Sequence, residues 1–143
     1  MKIGVIGGGP AGIIAAGFAG SRKKDVILIE KNDKLGKKLF ITGKGRCNVT
    51  NSSPIEDFFE KVMTNSSFLY SGFYSFSNYD IMNLLEKYGV KLKVERGNRV
   101  FPASDKSSDV IKALNRFLED NNVHVMLNTR ITDVIYENNK FIL

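Results

Sequence analysis

The residues best suited to chemistry stand near the N-terminus. Gly7-Gly8-Gly9-Pro10-Ala11-Gly12 satisfies the spacing G-x-G-x-x-G, directly after the apolar run Lys2–Gly7 and at the head of a helical stretch. In that context the glycines have separate physical roles. Gly7 permits the tight turn, Gly9 lets a pyrophosphate approach the backbone, and Gly12 lets helix and strand pack closely. A helix opened this way aims free N–H groups and the positive end of its dipole at an anion. Glu30 ends the next apolar run, Asp25–Glu30, near the ~20-residue spacing at which an acid meets the hydroxyls of an adenosine ribose. A carboxylate there disfavours a 2′-phosphate, and therefore NADP, as the ligand of this site. The fingerprint does not choose between NAD and FAD, because both carry a pyrophosphate and a free ribose. It is not a P-loop, since Gly43-Lys44 lacks the earlier glycine and the following Ser or Thr.

A second stretch, Leu35 to Asn51, combines Gly43 and Gly45 with Lys38, Lys44 and Arg46. Accessible backbone N–H groups and positive charge suit an anionic or electron-rich ligand. A solvated cationic loop is the competing reading. Cys47 has no second cysteine with which to form a redox pair, so it reads as a packed thiol. His124, within Val123–Leu127, reads as a strand residue rather than a catalyst. One histidine and one cysteine cannot assemble a zinc site from soft ligands, and no nucleophile elbow supports Ser-His-Asp hydrolysis. We therefore expect no metal, and no catalytic residue is nominated.

The elements that must position these residues follow from periodicity. Residues 2–7 and 25–30 read as buried strands, and 10–22 as a helix with Ala11, Ile14, Ala15, Phe18 and Ala19 at helical spacing. This is β-α-β, with a right-handed crossover between parallel strands. Residues 31–54 read mostly as loop with one helical turn, and 55–88 as two or three helical pieces ending at Gly89. A hairpin is predicted around Gly97-Asn98, pairing 91–95 with 99–101. Ser107 or Ser108 caps a helix to about Asn121 whose apolar face is Val110, Ile111, Leu114, Phe117 and Leu118. Val123–Leu127 is a third strand, and 130–136 with 140–143 a hairpin at Asn138-Asn139. Eight of the 15 aromatic residues lie between Phe58 and Tyr79. Core packing, a cap over a flavin or apolar substrate, and a nucleic-acid stacking platform all remain open for them.

Composition narrows the class. The chain has 143 residues, 43% apolar and 25% charged, which gives one domain with a real core and excludes wholesale disorder. No window approaches the ~18 apolar residues of a membrane span. The N-terminal apolar run is broken by glycines and lacks a cleavage site, so a cytoplasmic protein is expected. The 21 Lys+Arg against 15 Asp+Glu leave a net charge of +6, mostly scattered but denser over residues 31–46.

Three segments carry a family resemblance: VIGGGPAG at 5–12, KLGKKLFITGKGRCNVTN at 34–51, and RVFPASDKSSDVIKAL at 99–114. With TRITDVIYENNKF at 129–141 they span nearly the whole chain. They resemble a bacterial family of NAD(P)/FAD-dependent oxidoreductase flavoproteins, also called aminoacetone-oxidase-like, one member of which is associated with bile-acid reduction. The resemblance implies an α/β Rossmann-like FAD-binding domain of glutathione-reductase type, three-layered around a parallel sheet, with a helical and hairpin insertion at about 51–105. It implies FAD held by Gly7, Gly9, Ala11 and Gly12 at the pyrophosphate and by Glu30 and Lys31 at the ribose. Lys38, Arg46, Cys47 and Asn48 would lie along the flavin half, with Ile131 at the adenine through its backbone. It also implies a longer protein of which 1–143 is the N-terminal part, the substrate domain and C-terminal return lying elsewhere. Hydride transfer through flavin to a small-molecule substrate is the expected function, with NAD(P)H as a candidate electron donor and no nucleic-acid or membrane partner. This stretch alone is expected to be inactive and to self-associate through exposed surfaces. An NAD-binding module without flavin and a non-catalytic or nucleic-acid-binding fragment are the alternatives.

Overall fold

Two β-branched runs and the helix between them begin the chain. The computed structural model describes residues 2–143, and the chain separates into two units: Met1–Leu39 with Leu114–Leu143, and Phe40–Ala113. In the first unit, β1 (Lys2–Ile6), α1 (Pro10–Ser21) and β2 (Asp25–Ile29) form the expected β-α-β. β6 (His124–Met126) completes a parallel sheet of order β1-β2-β6, with Ile3 opposite Val26, Val5 opposite Leu28 and Ile27 opposite His124. Alternation along the strands sends Val5, Val26 and Leu28 to one face and Gly4, Ile6, Ile27 and Ile29 to the other. Val26 and Leu28 are fully buried, each contributing about 1.5–3 kcal/mol by leaving water.

The buried face of α1 differs from the one read in the sequence. Ile13, Ala16, Gly17 and Gly20 are buried, whereas Ala11, Ala15 and Phe18 are exposed. From Pro10 to Gly20 the helix has no polar residue, so its periodicity marks no face. Close approach decides the orientation instead. A side chain at Gly17 would enter the ring of Phe117, with Cζ 2.5 Å away, and one at Gly20 would strike the carbonyl of Asn121. Phe117 belongs to α5 (Ser107–Asp120), whose predicted apolar residues Val110, Ile111, Leu114, Phe117 and Leu118 are all buried. The difference is that α5 is amphipathic and α1 is not.

On the opposite sheet face lies the hairpin of β7 (Ile135–Glu137) and β8 (Lys140–Ile142), turned at Asn138 and Asn139, both at positive φ. Gly4, Ile6, Ile27 and Ile29 and the hairpin's Phe141 line an apolar cavity of about 970 Å³. Helix, parallel sheet and hairpin thus make three layers in this unit. The strand expected over 130–136 is confined to Ile135–Glu137. Its predecessor is occupied otherwise: Asn128 and Thr129 donate backbone N–H groups to Asn32 O and Glu30 O, and Val134 N–H bonds to the Asp133 carboxylate.

The second unit holds an antiparallel sheet of order β3-β5-β4: β3 (Thr50–Asn51), β5 (Arg99–Pro102) and β4 (Leu92–Glu95). The β4–β5 connection is the three-residue loop Arg96-Gly97-Asn98, with Gly97 and Asn98 both at positive φ, where a left-handed residue closes such a loop. β3 falls in a stretch that reads as loop. Two residues are too few for a periodicity, and the pairing is made from afar by Val100 and Arg99, reinforced by Asn51 Nδ2 donating to Gly97 O. Between β3 and β4 run α2 (Ile55–Lys61), α3 (Tyr70–Ser75) and α4 (Asn78–Lys87). Ser77 and Asp80 form a capping box on α4, and the Gly89 N–H closes its end on Glu86 O. None of the eight aromatic residues from Phe58 to Tyr79 is buried. Phe58, Phe59, Tyr70, Phe73 and Tyr74 pack on one another instead, Phe59 against Tyr70 at 5.4 Å and Tyr70 against Tyr74 at 4.6 Å. Among the described residues no helix is long and apolar enough to cross a membrane.

Candidate functional site

The turn between β1 and α1 is shaped by three glycines with different surroundings. Gly7 has φ +101°, a conformation that L side chains rarely adopt. Gly12 lies so close to the turn that a Cβ there would sit 3.1 Å from the Gly7 carbonyl carbon and collide with its oxygen. Around Gly9 the space is open, with nothing within 4 Å of an added Cβ. Gly9 is the N-cap of α1 and Pro10 its first residue; no side chain caps the helix, and its first turn has no acid. Ile13 N–H reaches back to Gly9 O, leaving the Ala11 and Gly12 N–H groups without intrahelical acceptors, as at any helix start.

These groups border a cleft of about 670 Å³ at the C-terminal ends of β1 and β2. Eight of the eleven residues nominated from the sequence line it: Gly7, Gly9, Ala11, Gly12, Glu30, Lys31, Lys38 and Ile131. Asn32, Lys37, Thr129 and Arg130 line it too, and sequence reasoning missed them. Asn32 had a usable signal, an amide two residues beyond the acid. Arg130 is adjacent to a nominated residue but falls in a stretch that reads as strand.

Glu30 is only 8% exposed. Its Oε2 accepts the Gly8 N–H at 2.6 Å, and its Oε1 accepts the Asn32 N–H at 2.8 Å and Asn32 Nδ2 at 2.5 Å. Burial pushes this carboxyl up, but the hydrogen bonds from Asn32 and Gly8, with Lys31 nearby, outweigh it and hold the group below the usual range. Glu30 is therefore an anion at neutral pH. Lys31, Lys37, Lys38 and Arg130 give the cleft an excess of positive charge. The arrangement can hold a ligand with paired negative charges at the glycine turn and hydroxyls near Glu30.

Arg46, Cys47 and Asn48 lie in the second unit. Arg46 Nη1 bonds to Glu95 Oε1 at 2.8 Å and Asp105 Oδ1 at 3.3 Å, and its guanidinium stands 4.2 Å over the Phe101 ring. Lys93 completes the network with Asp105 at 2.6 Å. Cys47 is buried at 1% exposure, and burial raises its thiol pKa against a weaker opposing bond from Thr42, so it stays protonated. With its amide nitrogen turned inward, Asn48 donates to Val100 O and Thr50 O. His124 is exposed on β6. No cluster of three or more His, Cys, Asp or Glu suited to a metal occurs among the described residues.

Known proteins resemble this chain in sequence and in fold. The 3-dehydro-bile acid delta(4,6)-reductase of Clostridium scindens is 30% identical over 132 residues, covering 91% of this chain and 32% of that protein. The ribosomal RNA dihydrouridine synthase of Escherichia coli is 27% identical over 139 residues, covering 97% of this chain and 34% of that one. The chain thus spans about a third of the length of these curated relatives. In structure, the open conformation of a flavocytochrome c3 fumarate reductase superposes with a TM-score of 0.66 at 22% identity, over 96% of this chain and 28% of its own, a likeness of fold. The HI0933-like protein Rossmann domain matches residues 1–143 throughout, and with its parallel sheet and glycine turn the chain belongs to that family.

Proposed function

We propose that this chain holds the adenosine and pyrophosphate of FAD in a flavoprotein oxidoreductase acting on a small-molecule substrate. The observation that carries the reading is the single cleft formed by Gly7, Gly9, Ala11, Gly12, Glu30, Lys31, Lys38 and Ile131. These residues fit the cofactor's polar half. The open space at Gly9 admits a pyrophosphate, the free N–H groups of Ala11 and Gly12 face it, and Glu30 is a buried, ionised acceptor for ribose. Lys31 and Lys38 add charge of the right sign, and the backbone at Ile131 borders the cleft where an adenine edge would rest. The family resemblance assigns Lys38, Arg46, Cys47 and Asn48 to the flavin half, and of these four Lys38 lines the cleft. Arg46 would then act as a cation already neutralised by Glu95 and Asp105, a shaping group more than a free charge.

When bound, the flavin supplies hydride transfer, and the protein's part is to bind, orient and shield it. The names of the two relatives both describe hydrogen added across a carbon–carbon double bond conjugated to a carbonyl, in a steroid ring and in uracil. We infer the same reaction class here, with NAD(P)H as reductant. The aromatic stretch from Phe58 to Tyr79 carries Glu56, Asp57 and Glu60 beside it against Lys61, which supports a neutral apolar substrate over a polyanion. The test is to purify the complete protein that contains this chain and record its visible spectrum. Bound flavin, reduced by NAD(P)H and reoxidised anaerobically by a conjugated enone but not by uridine-containing RNA, is the expected result. A colourless protein that binds NAD would refute it.

A further inference from the structure

Gly8 is held through both of its backbone polar groups. Its N–H donates to Glu30 Oε2 at 2.6 Å, and its carbonyl accepts the Gly36 N–H at 2.8 Å. Gly8 and Glu30 are both buried, so neither bond is shared with bulk water. A carboxylate offers about four acceptor sites. Asn32 fills both on Oε1 with its backbone N–H and its side-chain amide, and Gly8 fills one on Oε2. One acceptor position remains, on the very oxygen that holds the glycine turn.

We infer that Glu30 is a positioning residue for the glycine turn, fixed in place by Asn32, and that it has room for a single ribose hydroxyl rather than two. This rests on the dinucleotide reading above and adds to it that the ribose and pyrophosphate subsites are coupled through one oxygen atom. A hydroxyl arriving at Oε2 meets an acceptor already oriented by Gly8, and loss of the carboxylate loosens the turn before any nucleotide arrives. Glu30→Gln tests the arithmetic directly. Its amide has one oxygen and one NH2, so it cannot accept from Gly8 and from Asn32 together. Glu30→Asp keeps the charge and shortens the reach to Gly8.

The experiment measures amide hydrogen exchange at Gly8 in the ligand-free chain, and titrates inorganic pyrophosphate, ADP, 2′-deoxy-ADP and 3′-deoxy-ADP. We expect Glu30→Gln and Glu30→Asp to speed Gly8 exchange and weaken pyrophosphate binding, each by about tenfold or more, since a charge-assisted bond to a buried carboxylate is lost. In the parent, only one of the two deoxynucleotides binds more weakly than ADP. Unchanged Gly8 exchange and pyrophosphate affinity, with ADP alone weakened, would make Glu30 a plain ribose acceptor and overturn the inference. Equal weakening of both deoxynucleotides overturns the single-hydroxyl claim. A parent that binds neither ADP nor pyrophosphate refutes the dinucleotide reading, and Gly8 exchange then still decides whether Glu30 braces the turn. If the Glu30 variants do not fold, Asn32→Ala takes their place: faster Gly8 exchange supports the brace and unchanged exchange overturns it.

Discussion

Gly9 and Gly12 sit three residues apart in one turn, yet the same added methyl should have opposite consequences. In Gly12→Ala the new Cβ collides with the Gly7 carbonyl oxygen and sits 3.1 Å from its carbon. Backbone cannot swing aside as a side chain can, so α1 must move off the turn. Overpacking of this kind costs about 1–3 kcal/mol. Alanine's better helix propensity returns up to about 1 kcal/mol, leaving a net loss of about 1–2 kcal/mol. At about 3 °C per kcal/mol for a chain of this size, Tm should fall by about 3–6 °C. In Gly9→Ala nothing lies within 4 Å of the new atom, and φ −77°, ψ 176° is extended backbone open to any residue. The unfolded state loses entropy worth about 0.4–1 kcal/mol, and the N-cap loses about as much by exchanging glycine for alanine. Stability should therefore hold within about 0.5 kcal/mol. The methyl instead occupies the space through which a pyrophosphate would approach, and ADP affinity should drop at least about tenfold, or ~1.4 kcal/mol. Circular-dichroism melts of the ligand-free variants, with ADP titration by calorimetry, separate the two effects. A Gly9→Ala variant that melts as low as Gly12→Ala, or binds ADP like the parent, would refute the division of labour between these glycines.

Three further outcomes are expected. Glu95 and Asp105 are held below the ordinary carboxylate range, chiefly by hydrogen bonds from Arg46 and Lys93 respectively. Depressed carboxyls stabilise the fold above pH ~4 and lose that contribution as pH falls through their folded values. Arg46→Ala should accordingly lower the urea midpoint at pH 7 more than at pH 3, and an equal loss at both would dissociate the network from stability. Ser77→Ala removes the hydroxyl half of the α4 capping box and should cost about 1 kcal/mol in urea unfolding; no change would mean that the cap is replaced by water. Phe141 is 72% exposed on the β7–β8 hairpin, beside its exposed cross-strand partner Tyr136, whose ring lies 4.8 Å away. The isolated chain should self-associate through this face, so Phe141→Ser should lower the mass seen by light scattering, and an unchanged mass would place association elsewhere.

What was legible in the sequence was what is local. The β-α-β unit, the glycine turn and Glu30 are all set within the first 30 residues, where strand runs, breakers and an acid occur in an order with few structural solutions. α5 was legible because its charged residues alternate with apolar ones at helical spacing. The orientation of α1 was not, because Pro10 to Gly20 contains no polar residue and the decision is made by contact with Phe117 and Asn121. β3 was invisible for a related reason: a two-residue strand exists only because Arg99 and Val100 pair with it.

The same distinction separates the two groups of nominated site residues. Gly7 to Gly12 and Glu30 owe their place to motif geometry, which needs only the neighbouring strand and helix, and they line one cleft together with Lys31, Lys38 and Ile131. Arg46 was singled out for its charge, and charge is a property that partners can cancel. Its guanidinium bonds to Glu95 and Asp105, which lie 49 and 59 residues away in the chain. No spacing rule at position 46 announces those partners, so composition shows a cationic loop where the fold makes an alternating network of two bases and two acids. Glu30 illustrates the converse. Its charge is also engaged, by Gly8 and Asn32, but those partners lie inside the motif, so the group that binds is also the group that shapes the turn. A charged residue in such a fold serves a ligand to the extent that lone pairs or N–H groups remain after its neighbours are satisfied. By that measure Glu30 keeps one acceptor for a ligand, whereas Arg46 has its charge balanced within the network.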